Sequence, residues 1–160
     1  MINHCQHLAA ITGWDEAVMM PAGGGKARSA ALGTLHGIMH EKLIDPKIGE
    51  CLAIVKAEVN EFADDQWVQS NIKLMQRHYE RATALPNELV CKMSAVGLQC
   101  EQAWRSYRAA NDWQSFAPLL AENLSLVREA AELRAAKSEQ AISAYDILLD
   151  DFSPGVNQQL

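Results

Sequence analysis

The sequence predicts an all-α fold, a multi-helix antiparallel array of about six helices with a short seventh and no sheet. Three observations predict it. Apolar residues return at three- and four-residue intervals along most of the chain, the spacing that lines one side of an α-helix. Proline, glycine and aspartate fall between these segments, where helices stop and start. No stretch alternates apolar and polar residues over the length a strand needs. No repeat, low-complexity tract or linker interrupts the pattern, so residues 1–160 read as a single helical domain.

Residues 2–18 form the first segment, which runs into Gly13-Trp14-Asp15-Glu16 and is broken by Met19-Met20-Pro21-Ala22-Gly23-Gly24-Gly25. Proline lacks a donor and three glycines favour no single conformation. The second helix runs from about Lys26 to Leu43 with Leu32, Leu35, Met39 and Leu43 inward. Asp45-Pro46 opens the third, a carboxylate cap followed by proline at the first helical position. Ile48, Cys51, Leu52, Val55, Val59 and Phe62 form its stripe. The fourth begins near Asp64-Asp65, whose charge suits a helix amino terminus, and carries Val68, Ile72, Met75 and Tyr79.

From Pro86 to about Ala110, Leu89, Met93, Val96, Cys100, Ala103 and Tyr107 form an apolar seam with Trp104 beside it. Asn111-Asp112 turns the chain into a sixth helix, roughly 113–139, with Phe116, Leu120, Leu124, Val127 and Ala131 inward. Pro118 is accommodated if it falls in the first turn. The short last helix spans Tyr145 to Leu149 and ends at Phe152-Ser153-Pro154-Gly155.

Composition narrows the function. Apolar residues make up 49% and charged residues 21%, with a formal charge of -6, the balance of a globular protein. The negative sign repels phosphate backbones and anionic lipid, which argues against nucleic acid and membrane partners. No apolar run spans a bilayer, and the first residues lack the pattern of a secretory signal. Cys5, Cys51, Cys91 and Cys100 are far apart and form no CxxC pair. They read as buried or half-buried thiols in a reducing cytoplasm.

No catalytic constellation is marked. His40-Glu41 invites comparison with the zinc signature His-Glu-x-x-His, but Ile44 stands where the second histidine belongs. His36 and His40, and likewise His4 and His7, lack a third ligand. None of the five histidines has a glutamate three residues earlier, which excludes a di-iron bundle. Gly23-Gly24-Gly25-Lys26 lacks the strand, the first glycine and the Ser/Thr of a phosphate loop, since Ala27 follows the lysine. No Ser/His/Asp or Cys/His set is marked by a local motif. Trp67, Trp104, Tyr107 and Phe116 lie on or near the apolar stripes and are expected to pack in the core.

Several blocks, in order, carry a family likeness. They are Gly13-Trp14-Asp15-Glu16, Met19-Met20-Pro21, Arg28 and the helix ending His40-Glu41; then Arg77-His78-Tyr79-Glu80-Arg81-Ala82 with Leu85-Pro86 and Leu89-Val90. Trp104-Arg105, Arg108, Asn111-Asp112-Trp113 and Phe116-Ala117-Pro118-Leu119 follow, and Arg128-Glu129-Ala130 and Tyr145-Asp146-Ile147-Leu148-Leu149-Asp150 close on Pro154-Gly155. Together they resemble the amino-terminal part of carboxypeptidase Taq-type zinc metallocarboxypeptidases, over essentially the whole chain.

That resemblance implies a cytoplasmic, metal-dependent exopeptidase that removes carboxy-terminal residues from peptides. It implies a mostly helical, saddle-like body with a deep groove, typically in homodimers. Zinc, or cobalt, is implied for the full-length enzyme, held by a His-Glu-x-x-His helix and a later glutamate, with the motif glutamate as general base on metal-bound water. No position here matches a ligand or the base, so neither a catalytic nor a metal residue is carried over, and this chain alone is expected to hold no metal and to be inactive. The zinc motif is expected beyond the last residue, and the segment before Ile11 resembles the second half of a family helix.

Trp14, Asp15, Arg28, Trp104 and Asp112 belong to the family blocks and read as bracing residues rather than substrate contacts. The expected role is wall or lid of the groove, with peptide substrate met only in the full-length enzyme and homo-oligomers formed through exposed apolar helix faces. The alternative is a stand-alone helical interaction module derived from such an enzyme. A weaker third reading is a small hydrolase with an unrecognised site.

Overall fold

A computed structural model describes residues 2–21, 23–58, 65–138 and 142–158. Among them the chain forms α1 (Ile2–Val18), α2 (Gly25–Leu43), α3 (Pro46–Ala57), α4 (Gln66–Thr83), α5 (Asn87–Ala109), α6 (Trp113–Lys137) and α7 (Ala144–Leu149), with no strand. Val59, Phe62, Asp64 and Ala22 from the sequence reading lie outside the described residues.

Local chemistry sets the helix starts. The Asp45 carboxylate accepts the Lys47 N–H at 3.0 Å, with Pro46 at the first helical position. Asp65 accepts from Trp67 and Val68, both at 3.0 Å, and Ser143 from Asp146 at 3.1 Å. Each bond satisfies an amide that the first helical turn cannot pair. Asn111 links α5 to α6 with φ 55°, a left-handed conformation that asparagine tolerates better than most residues. α6 stops at Lys137 instead of running to 139, where Ser138 turns extended. Pro118 is not in the first turn of α6 but one turn later, so the helix continues without the bond that residue 118 would donate to Gln114.

α2, α5 and α6 form the spine, with α1 on α2, α7 on α6 and the α3–α4 pair joined to it through α2 and α4. Leu85, Leu89, Leu126 and Ala130 make the centre of the core, and Val90, Met93, Val96 and Leu133 pack around it. Leu32, Leu52, Leu89, Cys100 and Ala131 are buried as expected, but several inward faces differ from the apolar stripes. On α2 the buried residues are Ser29, Leu32, Gly33, Gly37 and His40, while Leu35 and Met39 are only half-buried. On α6 they are Leu126, Ala130 and Ala131, and Leu124 is exposed.

The reason on α2 is close approach. A Cβ at Gly33 would stand 3.2 Å from the Cys91 carbonyl oxygen, and one at Gly37 only 2.5 Å from Cys91 Sγ. Glycine at these two positions lets the α2 and α5 backbones come nearer than leucine knobs permit.

Two further expectations are corrected. Trp67 and Trp104 are 78% and 42% exposed, so neither is a core residue; Trp67 sits in the first turn of α4. Cys51 is exposed on α3 rather than buried, and all four thiols are free.

Candidate functional site

Trp14, Asp15, Arg28, Trp104 and Asp112 fall into two groups at different places in the fold. In the first, Arg28 of α2 donates through Nε to the Asp15 carboxylate of α1. That hydrogen bond raises the Arg28 pKa further above its ordinary range. The neighbouring Glu16 is buried and accepts from Gln102 Nε2 of α5 at 2.7 Å. A buried carboxylate needs such a partner, and these two contacts fix α1 to α2 and α5. Trp14, between Gly13 and Asp15, stands on the side of α1 opposite Glu16 and is 58% exposed.

In the second group, Asp112 caps α6 by accepting the Ser115 N–H at 3.1 Å. The Ser115 hydroxyl and N–H together hold the Asp112 carboxyl below its ordinary range. Trp104, Tyr107, Arg108, Asn111, Trp113 and Phe116 line an open recess of about 200 Å³ around this turn. The Arg108 guanidinium lies 5.3 Å from the Trp104 ring centroid, a cation–π contact. Trp113 meets Phe116 edge to face at 6.1 Å. Sequence spacing brought these residues to one turn, but it placed Trp104 in the core instead of at the rim.

The histidines that recommended themselves as ligands are committed elsewhere. His40 is buried, with Nε2 2.9 Å from the Ala82 carbonyl and Nδ1 3.1 Å from Asn87 Oδ1. Asn87 in turn donates to Glu41 Oε1 at 3.0 Å. Both ring nitrogens are therefore occupied by oxygen partners on neighbouring elements. His36 Nδ1 lies 2.7 Å from Ser94 Oγ, and burial lowers its pKa from 6.5. This is a base–hydroxyl pair by distance. Ser94, however, sits inside α5, where backbone amides are consumed by the helix and none is free to stabilise an oxyanion.

The fit to a catalytic metal fails on the donor set. Among the described residues no three His, Cys, Asp or Glu side chains converge to hold an ion, and His36 and His40, the one pair of suitable spacing in α2, are turned to other partners. No step through a metal is derived for these residues.

A further cluster joins two other family blocks, which the sequence reading did not pair. Arg77 donates to Asp150 Oδ2 at 2.8 Å, and Arg81 to the same oxygen at 2.9 Å and to Asp151. Arg134 reaches Asp151 at 3.1 Å, and the Gly155 N–H donates to Asp150 Oδ1 at 3.0 Å. Burial pushes the Asp150 carboxyl up, but Gly155, Arg77 and Arg81 outweigh it and leave the group below its ordinary range. The cluster fastens the segment after α7 to α4 and α6.

The chain matches the family model described as carboxypeptidase Taq (M32) metallopeptidase over residues 1–160. The chain belongs to that family. It is 31% identical to thermostable carboxypeptidase 1 of Thermus thermophilus, across 93% of this chain and 30% of that protein. The Pyrococcus furiosus thermostable carboxypeptidase 1 is 29% identical, across 94% and 29%.

In structure, Trypanosoma cruzi metallocarboxypeptidase 1 superposes with a TM-score of 0.77 at 30% identity, covering 99% of this chain and 31% of that one. BsuCP gives 0.85 at 21% identity with the same coverage, a likeness of fold alone. The chain thus spans about 30% of the length of the relatives it matches. Among the described residues no helix is long and apolar enough to cross a membrane.

Proposed function

We propose that this chain is the amino-terminal helical portion of a cytoplasmic metal-dependent carboxypeptidase, walling the groove in which peptides lose their carboxy-terminal residues. The metal, zinc or cobalt, belongs to the full-length enzyme, and the 160 residues alone are inert toward peptides. Association between copies through exposed apolar faces is part of the same reading. The supporting observation is the match of the entire chain, in sequence and in helix arrangement, to about 30% of each metallocarboxypeptidase relative. In this reading the chain's own residues position rather than react. Asp15 with Arg28 and Glu16 with Gln102 hold α1, Asp112 sets the α5–α6 turn, and the arginine–aspartate cluster seats the last described segment.

Two measurements test it. An immunoblot of the source cells with an antibody to this domain is expected to show a band well above 17.6 kDa. The purified 160 residues, with added zinc or cobalt and a blocked peptide substrate, are expected to release no carboxy-terminal amino acid. A band at 17.6 kDa alone, or turnover by the short chain, overturns the proposal.

A further inference from the structure

α1 packs on the fold along one side and carries a row of large apolar residues on the other. Cys5, Ala9, Thr12 and Glu16, at four- and three-residue steps, are half-buried or buried on the side held to α2. On the opposite side Leu8, Ile11, Trp14 and Val18 are 54%, 50%, 58% and 63% exposed, and Met19 extends the row at 62%. At about 100° per residue the first four fall within a sector of roughly 120°. No lysine or arginine occurs anywhere in α1. Large apolar residues left exposed along one side of a helix mark a contact surface.

One observation points to what covers it. The relatives are about three times as long, and 99% of this chain superposes within one of them. The rest of that fold must bear on some face of these helices, and the row on α1 is an apolar one that the chain itself leaves uncovered.

We infer that Leu8, Ile11, Trp14 and Val18 form the seam on which the remaining two-thirds of the metallocarboxypeptidase fold docks through an apolar face of its own. This rests on the function proposed above and assigns α1 to holding the enzyme's two portions together.

The experiment pairs Ile11→Glu with Trp14→Glu in the 160-residue chain, and places glutamate at the two aligned positions of the intact Thermus thermophilus enzyme. The short chain is expected to keep its Tm within about 2 °C, since Ile11 and Trp14 are half or more exposed in it. The intact enzyme is expected to lose about 10 °C or more, because two charges enter a buried apolar seam. A milder alanine at the position aligned with Trp14 gives the same sign should the double variant not fold.

An unchanged Tm in the intact enzyme overturns the inference, as does an equal loss in the short chain. Sedimentation showing a wild-type dimer that the glutamates convert to monomer also overturns it, in favour of a second copy. These are melting and mass measurements, so they stand apart from the immunoblot and turnover assays on which the proposed function depends.

Discussion

The α2–α5 crossing and the α3–α4 pair are built on opposite principles. At the crossing, Gly33 and Gly37 of α2 lie directly against Cys91 and Ala95 of α5, and the polar pairs His36–Ser94 and His40–Asn87 lie along the same interface. In the α3–α4 pair a broad apolar stripe is present, yet α4 has no fully buried residue and α3 has only Leu52. Between them Ile48, Cys51, Val55, Ile72 and Met75 line an open groove of about 320 Å³. The comparison teaches that stability here follows closeness of approach more than the amount of apolar side chain. Dispersion contacts are lost quickly as surfaces separate.

The largest expected effect is at the crossing. Gly37→Leu has no room beside Cys91 Sγ and is expected to cost about 3 kcal/mol by forcing the helices apart; a denaturant melt of equal midpoint to wild type would show that the crossing can loosen freely. Next comes Arg81→Ala. It removes the donor to Asp150 and Asp151 and leaves Asp150 with Arg77. Because solvent reaches both aspartates, the expected loss is about 1–2 kcal/mol, read by the same melts. It should shrink in high salt.

A smaller, pH-dependent effect belongs to His36. Burial lowers its folded pKa below 6.5, so the unfolded chain takes up its proton first as pH falls. Stability from the neutral ring is complete well above 6.5, declines as pH drops through that value and is gone below the folded pKa. Thermal melts from pH 8 to 5 are expected to show this decline, and His36→Gln to flatten it; an identical slope in the variant would refute the assignment. The smallest effect is Trp67→Ala in the α3–α4 half, expected within about 0.5 kcal/mol because that indole is mostly in water. A large loss there would break the comparison from the weaker side.

Much of the architecture was legible because helix boundaries are set locally. Asp45-Pro46, Asp65 and Asp112 announce helix starts within three residues of the amides they cap. The inward faces were less legible. A search for apolar spacing gives glycine and serine no weight, yet Ser29, Gly33 and Gly37 recur every fourth residue, a signal that a search for small residues would have found. Trp104 and Trp67 were placed inward because indoles are apolar. Nothing local states that one ends at a turn beside Arg108 and the other in an opening turn. The pairing of Arg77 and Arg81 with Asp150 joins positions 73 and 69 residues apart, and only the fold brings them together. For the site, the family blocks were readable, whereas the bonds that commit His36 and His40 depend on the α2–α5 register.

The four free thiols give the molecule an internal clock. Cys51 is open to solvent, while Cys91 has its sulfur lodged against Gly37 and Cys100 is buried, where burial also pushes its thiol pKa up. A thiol reagent therefore modifies Cys51 at the rate of the chemistry, but reaches the buried Cys100 only when α5 parts from the helices packed on it. The ratio of the two rates measures how often the spine opens while the rest of the protein remains folded.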